Sequence, residues 1–313
     1  MSKSSIHTLD VQYLDVPGSI ACFLVIGQRE AALVEAGPAS TIDTLREAMA
    51  AHGVAPRDVR HVLVTHIHLD HAGAAGWLAE HGAMVHVHEF GAPHLVDPSK
   101  LLASAELIYG DEMERLWGRM RPVQASRVNA LRDGDVVNVA GLEFRAIATP
   151  GHAKHHHAFE VEQDGERVCF TGDAAGMIVP GVPGEAFISL PTPPPEFDEA
   201  AWLESLSRLE ARSPRRLYLT HFGAVENARS HLAATRKAVM EHWAFIQRRA
   251  DAGVDEMAIL KEYRTWVLDL AARAGIEGRR RVHFVSDRLL TMNGTGMLRR
   301  WRLMRDARLR SGG

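Results

Sequence analysis

Val62-Leu63-Val64-Thr65-His66-Ile67-His68-Leu69-Asp70-His71-Ala72-Gly73 is the stretch on which the reading of this chain turns. An apolar run of strand type ends in three histidines and an aspartate packed into six positions, and small residues follow. A structural turn has no need of so much imidazole and carboxylate. Those groups are the ligands of Zn²⁺ and related first-row metals, and a strand end holds them on a rigid edge. Four ligands so close in sequence rarely converge on one ion. The spacing therefore suggests two metal sites, one shared by His66 and His68 and the other by Asp70 and His71.

The same design recurs downstream. Thr149-Pro150-Gly151-His152 follows the β-like run Leu142 to Ala148, Thr171-Gly172-Asp173 follows Arg167 to Phe170, and Thr220-His221-Phe222-Gly223 follows Arg216 to Leu219. Each run ends in one potential ligand beside Gly or Thr. Together the four segments supply five histidines and two aspartates, which suits two ions joined by one carboxylate and one hydroxide.

In this order and completeness the pattern resembles the metallo-β-lactamase superfamily over roughly residues 18 to 223, in the manner of its glyoxalase II/lactonase-like branch but without singling out a subfamily. The resemblance implies a four-layer αβ/βα sandwich of class α/β. It implies His66, His68 and His152 on one metal, Asp70, His71 and His221 on the second, and Asp173 bridging. Two divalent ions are implied, zinc first, with iron and manganese as alternatives. The implied activity is a hydrolase in which a metal-bridging hydroxide attacks an ester, lactone, thioester or amide of a small molecule. Asp70, or the water it orders, would return a proton to the leaving group. The chain departs from the pattern at one point: where many relatives carry Asp-X-Gly at an early strand end, Leu33-Val34-Glu35-Ala36-Gly37 offers Glu35. An acceptor there would orient a ligand histidine, with one extra methylene of reach.

Within the superfamily some branches fit poorly. Flavodiiron oxidoreductases have Glu at the position of His68 and carry a flavodoxin domain. RNA-processing relatives need a large inserted domain for which there is no room. The glutathione-binding segments of glyoxalase II are not recognisable, and lactonases place a tyrosine where this chain reads Ala174-Ala175-Gly176-Met177-Ile178-Val179. The competing functions are a mononuclear iron oxygenase of persulfide-dioxygenase type and a phosphodiesterase. A non-catalytic binding protein is disfavoured because all seven ligand positions are intact.

Composition bounds the rest. With 313 residues, 46% of them hydrophobic, the chain can fill a large core and an appendage. The expected division is a catalytic domain over 1–223 and a helical region over 224–313. No run approaches the roughly 18 apolar residues of a membrane span, and the first residues show no signal-peptide core. Cys22 and Cys169 sit in apolar runs and read as buried thiols. These features predict a cytoplasmic enzyme without a membrane partner. The net charge of −3 conceals an asymmetry: residues 279–313 hold ten Arg and two Asp, a balance of +8, leaving −11 on residues 1–278. The acidic part disfavours nucleic acid as a partner and points to a small-molecule substrate. Pairing of the Arg-rich tail with the acidic part, across subunits of a homodimer or within one chain, is the expectation for that tail.

Along the chain, strands are predicted over His7–Leu14, Ile20–Ile26, Ala31–Glu35, His61–Thr65 and Met84–Val87. A second block opens near Val128, with strands at Asp135–Val139, Leu142–Ala148, Ala158–Val161, Val168–Thr171 and Arg216–Leu219. Ser40 with Asp43 resembles a capping box for a helix through His52. Asp198 caps Glu199–Glu210, with Phe197 placed against Trp202. Helical stripes are predicted from Val225 through Ile246 and from Met257 through Ala274, the second capped by Asp255. Residues 89–125 should be short helices. Residues 174–197, dense in Pro, should be an extended loop, either a wall or lid over the site with Met177 and Phe187 as apolar contacts or a passive connector with stiff turns. Among the remaining histidines, His156 is the candidate for orienting a ligand, while His86, His88 and His94 read as surface or loop residues.

Overall fold

The computed structural model describes residues 4–183, 186–278 and 284–311. Two compact units are formed: Met1–Ala148 with His155–Gly172 and Pro214–Asn227, and Thr149–Lys154 with Asp173–Ser213 and Ala228–Gly313.

Both β-sheets lie in the first unit. One runs β1 (Ser5–Asp10), β2 (Ala21–Ile26), β3 (Ala31–Val34), β4 (Val59–Leu63), β5 (Met84–His88) and β6 (Val128–Leu131), paired in that order. Its first three strands are antiparallel and the rest parallel. The other runs β7 (Val136–Val139), β8 (Leu142–Ala148), β9 (His157–Gln163), β10 (Glu166–Phe170), β11 (Arg216–Leu219) and β12 (Gly223–Val225). Only its β10–β11 pair is parallel.

Side-chain alternation along β2, β3 and β4 divides the core. Ala21, Phe23, Val25, Ala32, Val34 and Leu63 face the second sheet, among Phe144, Phe159, Phe170 and Tyr218. Cys22, Leu24, Ala31, Leu33 and Val62 face the opposite way, toward Leu45 and Met49 of α1 (Ile42–Ala50) and Leu78 of α3 (Ala75–Glu80). A strand buried on both faces reads as a continuous apolar run, which is why β2 and β3 carry no polar side chain except the Cys22 thiol. The Phe23 ring meets Phe170 and Tyr218 edge-on at 5.3 and 5.2 Å, joining the two sheets.

The metal loop leaves β4 and enters α2 (Leu69–Ala72). Residues 89–125 form α4 (Ala92–Val96), α5 (Ser99–Tyr109) and α6 (Met113–Trp117). The second unit contains α7 (Glu199–Ala211), α8 (Ala228–Asp251), α9 (Glu256–Arg273) and α10 (Asp287–Ser311). Asp198 caps α7 by accepting from Ala201 N–H at 3.2 Å, and Phe197 meets Trp202 at 6.1 Å. Asp255 caps α9 through Met257 and Ala258 N–H. From α10, Arg300 pairs with Asp198 at 2.8 Å and Arg302 with Glu256 at 3.3 Å. Arg279, Arg280 and Arg281 of the basic tail lie outside the described residues, as do Gly184 and Glu185 of the proline-rich loop.

Several local expectations need correction. Ser40 does not cap α1, because its hydroxyl donates to the Leu116 carbonyl at 2.8 Å, and the helix opens through a 3₁₀ turn at Ala39–Thr41. Val128–Leu131 does not open the second block; it is the edge strand of the first sheet, parallel to β5. Val225 belongs to β12, not to a helix. On α9 the buried stripe is Ile259, Tyr263, Val267 and Ala271, while Met257 is 73% exposed, so the apolar face is rotated from the expected one.

His86 and His88 are not surface residues. Both are buried on β5, which β6 covers on one side. His86 Nε2 lies 2.9 Å from His61 Nδ1, and its Nδ1 accepts from the Asn129 amide at 2.9 Å. Burial, and then the adjoining His61, push the His86 pKa down to about 4. The unfolded chain protonates near pH 6.5. Between those values only the unfolded state binds the proton, so stability is full above about pH 6.5 and falls as pH drops toward 4. Urea unfolding of metal-free protein from pH 7 to 4.5 should show this loss, and the pH slope should be shallower in His86→Gln. Parallel slopes in the two proteins would remove His86 as the cause.

Candidate metal centre

The site is built at strand ends of the first unit. After β3 the chain turns at Glu35, a non-glycine residue with a left-handed φ of 66° and no exposed surface. Its carboxylate is fully engaged. Oε1 accepts from the Thr65 hydroxyl at 2.6 Å, the Thr220 hydroxyl at 3.1 Å and His71 Nδ1–H at 3.1 Å, and Oε2 accepts from Thr65 N–H at 3.3 Å. Thr65 follows β4 and Thr220 follows β11. One buried anion thus ties together strand ends from both sheets. Burial and then the Glu35 charge push the Cys22 thiol well above its ordinary pKa, so Cys22 stays protonated and apolar in character.

This network sets the histidine tautomers. His71 Nδ1 faces a carboxylate and must carry the proton, which leaves its Nε2 lone pair for a metal. The Thr65 hydroxyl spends its hydrogen on Glu35, so it accepts from His66 Nδ1–H at 3.1 Å, and the His66 lone pair is also on Nε2. His221 Nδ1 donates to the Ser19 carbonyl at 3.0 Å, with the same consequence. His68 differs. Its Nδ1 lies 2.9 Å from His66 Nε2, so His68 presents the nitrogen nearer its backbone.

The donor atoms converge. Asp70 Oδ2 is 3.4 Å from His221 Nε2 and 3.8 Å from His71 Nε2, and the three residues form one potential metal-holding group. Ligands 2.0–2.1 Å from a tetrahedral zinc stand about 3.3 Å apart, so the spacing fits such an ion with little adjustment. His66 and His71 are wholly buried, while the Asp70 side chain is 23% exposed and is the solvent-accessible member.

In the second unit, His152 Nδ1 donates to the Pro191 carbonyl at 2.8 Å, and its Nε2 stands 3.3 Å from Asp173 Oδ2. Asp173 is 3% exposed and His152 2%. The tautomer logic is that of His71 and His221. All seven residues singled out in the sequence are therefore in pairs or groups of ligand type. The proline-rich segment is anchored within its unit: Trp202 Nε1–H donates to the Ala174 carbonyl at 2.7 Å, and both Thr235 Oγ–H and His231 Nε2 reach the Ala175 carbonyl. Met177 and Phe187 are buried at 6% and 5% exposure.

Around the first-unit donors, His155 stacks on His66 at 6.1 Å between ring centres, and the His156 ring lies tilted beside it at 4.9 Å. Gly172 has φ +49°, and a Cβ there would lie 2.4 Å from the Thr65 hydroxyl and 2.7 Å from His156 Nε2. Only glycine lets the Thr171-Gly172-Asp173 turn pass this close to the network. Sequence reasoning gave no role to Thr65 and Thr220. Their signal was the Thr-His dipeptide, repeated at Thr65-His66 and Thr220-His221.

The metallo-β-lactamase superfamily pattern matches residues 15–221, and the chain belongs to that superfamily. Its mixed α/β architecture of two sheets among helices, with further helices toward the C-terminus, matches the metallo-β-lactamase fold. A metallo-β-lactamase fold-containing protein of Sulfurisphaera tokodaii is 26% identical over 229 residues, covering 72% of this chain and 81% of that protein. An atrochrysone carboxyl ACP thioesterase of Aspergillus fumigatus is 28% identical over 166 residues, 53% of this chain but 39% of that longer protein. A metallo-β-lactamase family protein of Thermus thermophilus has a solved structure that superposes with a TM-score of 0.65 at 25% identity, covering 96% of this chain and 93% of the other. The chain is accordingly a hydrolase of this superfamily.

Glu35→Gln should keep the size of the side chain but remove its charge and one acceptor. Metal affinity should fall about 10- to 100-fold, as when an acceptor behind a ligand histidine is lost, read by competition with a coloured chelator. Unchanged affinity would show that Glu35 serves the fold alone.

Proposed function

We propose that this protein is a dinuclear metal hydrolase of small-molecule carbonyl esters, with thioesters foremost among ester, lactone, thioester and amide substrates. The observation that carries the reading is the Asp70–His71–His221 group, with the histidine lone pairs directed by fixed Nδ1 partners. Asp70, His71 and His221 would hold one ion, His66, His68 and His152 the other, with Asp173 shared between them. Zinc suits this nitrogen and oxygen donor set best, and iron and manganese are the alternatives.

Divalent ions held there supply a water of lowered pKa and polarise a substrate carbonyl. The chain does the rest. His71, His221 and His152 have their Nδ1 protons committed to acceptors and their Nε2 lone pairs to ligation, so they cannot relay protons. Asp70 is the partly exposed carboxylate of the group and is the residue placed to hold a proton for the leaving group. Thioesters are favoured because relatives of similar sequence are named thioesterases. A polyanionic substrate is disfavoured by the −11 balance of residues 1–278. Arg300 and Arg302 in the basic helix are already engaged by Asp198 and Glu256. No described helix is long and apolar enough to cross a membrane. Cys22 and Cys169 are both buried and are not joined in a disulfide, which favours a reducing, cytoplasmic setting.

Metal analysis of purified protein should return two zinc ions per chain. A panel of thioester, ester, lactone, phosphodiester and β-lactam substrates should give its highest kcat/KM on a carbonyl ester or thioester, with weak dependence on salt. Asp173→Ala should lose metal and most turnover together while staying folded. One iron per chain with no zinc would promote the oxygenase, and efficient, salt-sensitive cleavage of RNA or DNA the phosphodiesterase.

Leaving-group chemistry tests Asp70 separately. A thiol, with a pKa near 8.5, departs as thiolate without a proton, whereas an alkoxide needs one. Asp70→Asn should therefore reduce hydrolysis of an alkyl ester at least about tenfold more than that of the matched thioester, as for loss of a general acid. An equal loss on both would leave Asp70 as a ligand only.

A further inference from the structure

Among the second unit's buried polar side chains, Asn293 on α10 is 1% exposed and lies outside the residues matched by the superfamily pattern. Its Oδ1 accepts from Thr192 N–H at 2.9 Å, and its Nδ2–H donates to the Leu190 carbonyl at 2.7 Å. The Thr192 hydroxyl returns a bond to the Asn293 carbonyl at 3.0 Å. Three residues on, Gly296 lets the helix touch the same backbone, since a Cβ there would fall 2.0 Å from the Thr192 oxygen. The residue between the two clamped peptides is Pro191, whose carbonyl accepts from His152 Nδ1–H.

The geometry of the peptide gives this contact its meaning. The Pro191 carbonyl and the Thr192 N–H belong to one planar unit, so the bond from Thr192 N–H to Asn293 fixes the plane of the oxygen that orients His152. Pro191 has no N–H of its own to anchor its other side, and Asn293 Nδ2 supplies that anchor through the Leu190 carbonyl. A carboxamide is the side chain that both accepts from one peptide and donates to the next.

We infer that Asn293 is a positioning residue for the metal ligand His152: it holds the Pro191 carbonyl that sets the tautomer and direction of that imidazole. This rests on the reading of His152 as a ligand. The C-terminal helix thereby takes part in the metal site without touching the metal.

The test is zinc binding by full-length protein, read by chelator competition, with the absorption spectrum of the cobalt-loaded form as a second readout. Asn293→Ala should weaken one of the two ions about 10- to 100-fold, leave the other near its wild-type affinity and shift the cobalt bands. Tyr263→Phe is the control. It removes another buried bond among these helices, from the phenol to His242 at 2.8 Å, one that does not involve the 190–192 backbone. It should leave both affinities and the spectrum unchanged. If Tyr263→Phe weakens zinc equally, the effect is general loosening and the inference falls. Should Asn293→Ala fail to fold, Asn293→Asp, which keeps the acceptor toward Thr192 and loses the donor toward Leu190, is read in its place. His152→Ala separates the two layers. Retention of both ions there would refute His152 as a ligand, whereas loss of one ion there with both affinities unchanged in Asn293→Ala would refute the positioning role alone.

Discussion

The hydrogen bonds to the Glu35 carboxylate are the interaction on which the first unit's donor set depends. A buried carboxylate is costly unless donors replace its water, and here hydroxyls, an amide and an imidazole do so. Those donors come from the ends of β4 and β11 and from the metal loop, so satisfying one charge also brings the two sheet edges into register. The same contacts direct two histidines. His71 is oriented directly, and His66 through the Thr65 hydroxyl, which can accept from imidazole only because its own hydrogen is spent on Glu35. The left-handed backbone at Glu35 costs about 1–3 kcal/mol, a strain that the surrounding bonds offset.

Rigidity behind this network comes from the packing of β2, β3 and β4. Their side chains serve two cores at once, one against the second sheet and one against helices. An element buried on both faces has little freedom to shift, because any slide would disturb both interfaces. Ligands mounted at its end therefore keep their spacing before an ion arrives. The second unit reaches the same result by other means: backbone carbonyls of the 174–192 segment are held by Trp202, Thr235, His231 and Asn293, and the Pro191 carbonyl in turn directs His152. In one unit the acceptor behind a ligand is a buried side chain, and in the other it is a clamped peptide.

What the sequence made legible follows from how local each signal was. The candidate ligand residues stood out because imidazole and carboxylate at strand ends are rare without a metal, and the order His66, His68, Asp70, His71, His152, Asp173, His221 is specific. Strands β2, β3, β8 and β11 were legible as apolar runs bounded by turn residues. Glu35 was visible as a departure from a motif, although its partners Thr65 and Thr220 were not. Long-range bonds escaped. The Ser40 hydroxyl is spent on Leu116, 76 residues away, and His86 is covered by the short strand Val128–Leu131, a pairing with no local signal. Asn293 could not be read at all, since a side chain bonded to backbone a hundred residues away leaves no periodicity in the chain.

The central claim is that this donor set holds two ions, and anomalous diffraction from crystals grown with zinc tests it most directly. The account predicts two peaks per chain above the zinc edge. One should lie beside Nε2 of His71 and His221 and Oδ2 of Asp70, the other beside Nε2 of His66 and Nδ1 of His68. A single peak, or peaks away from these nitrogens, would contradict it.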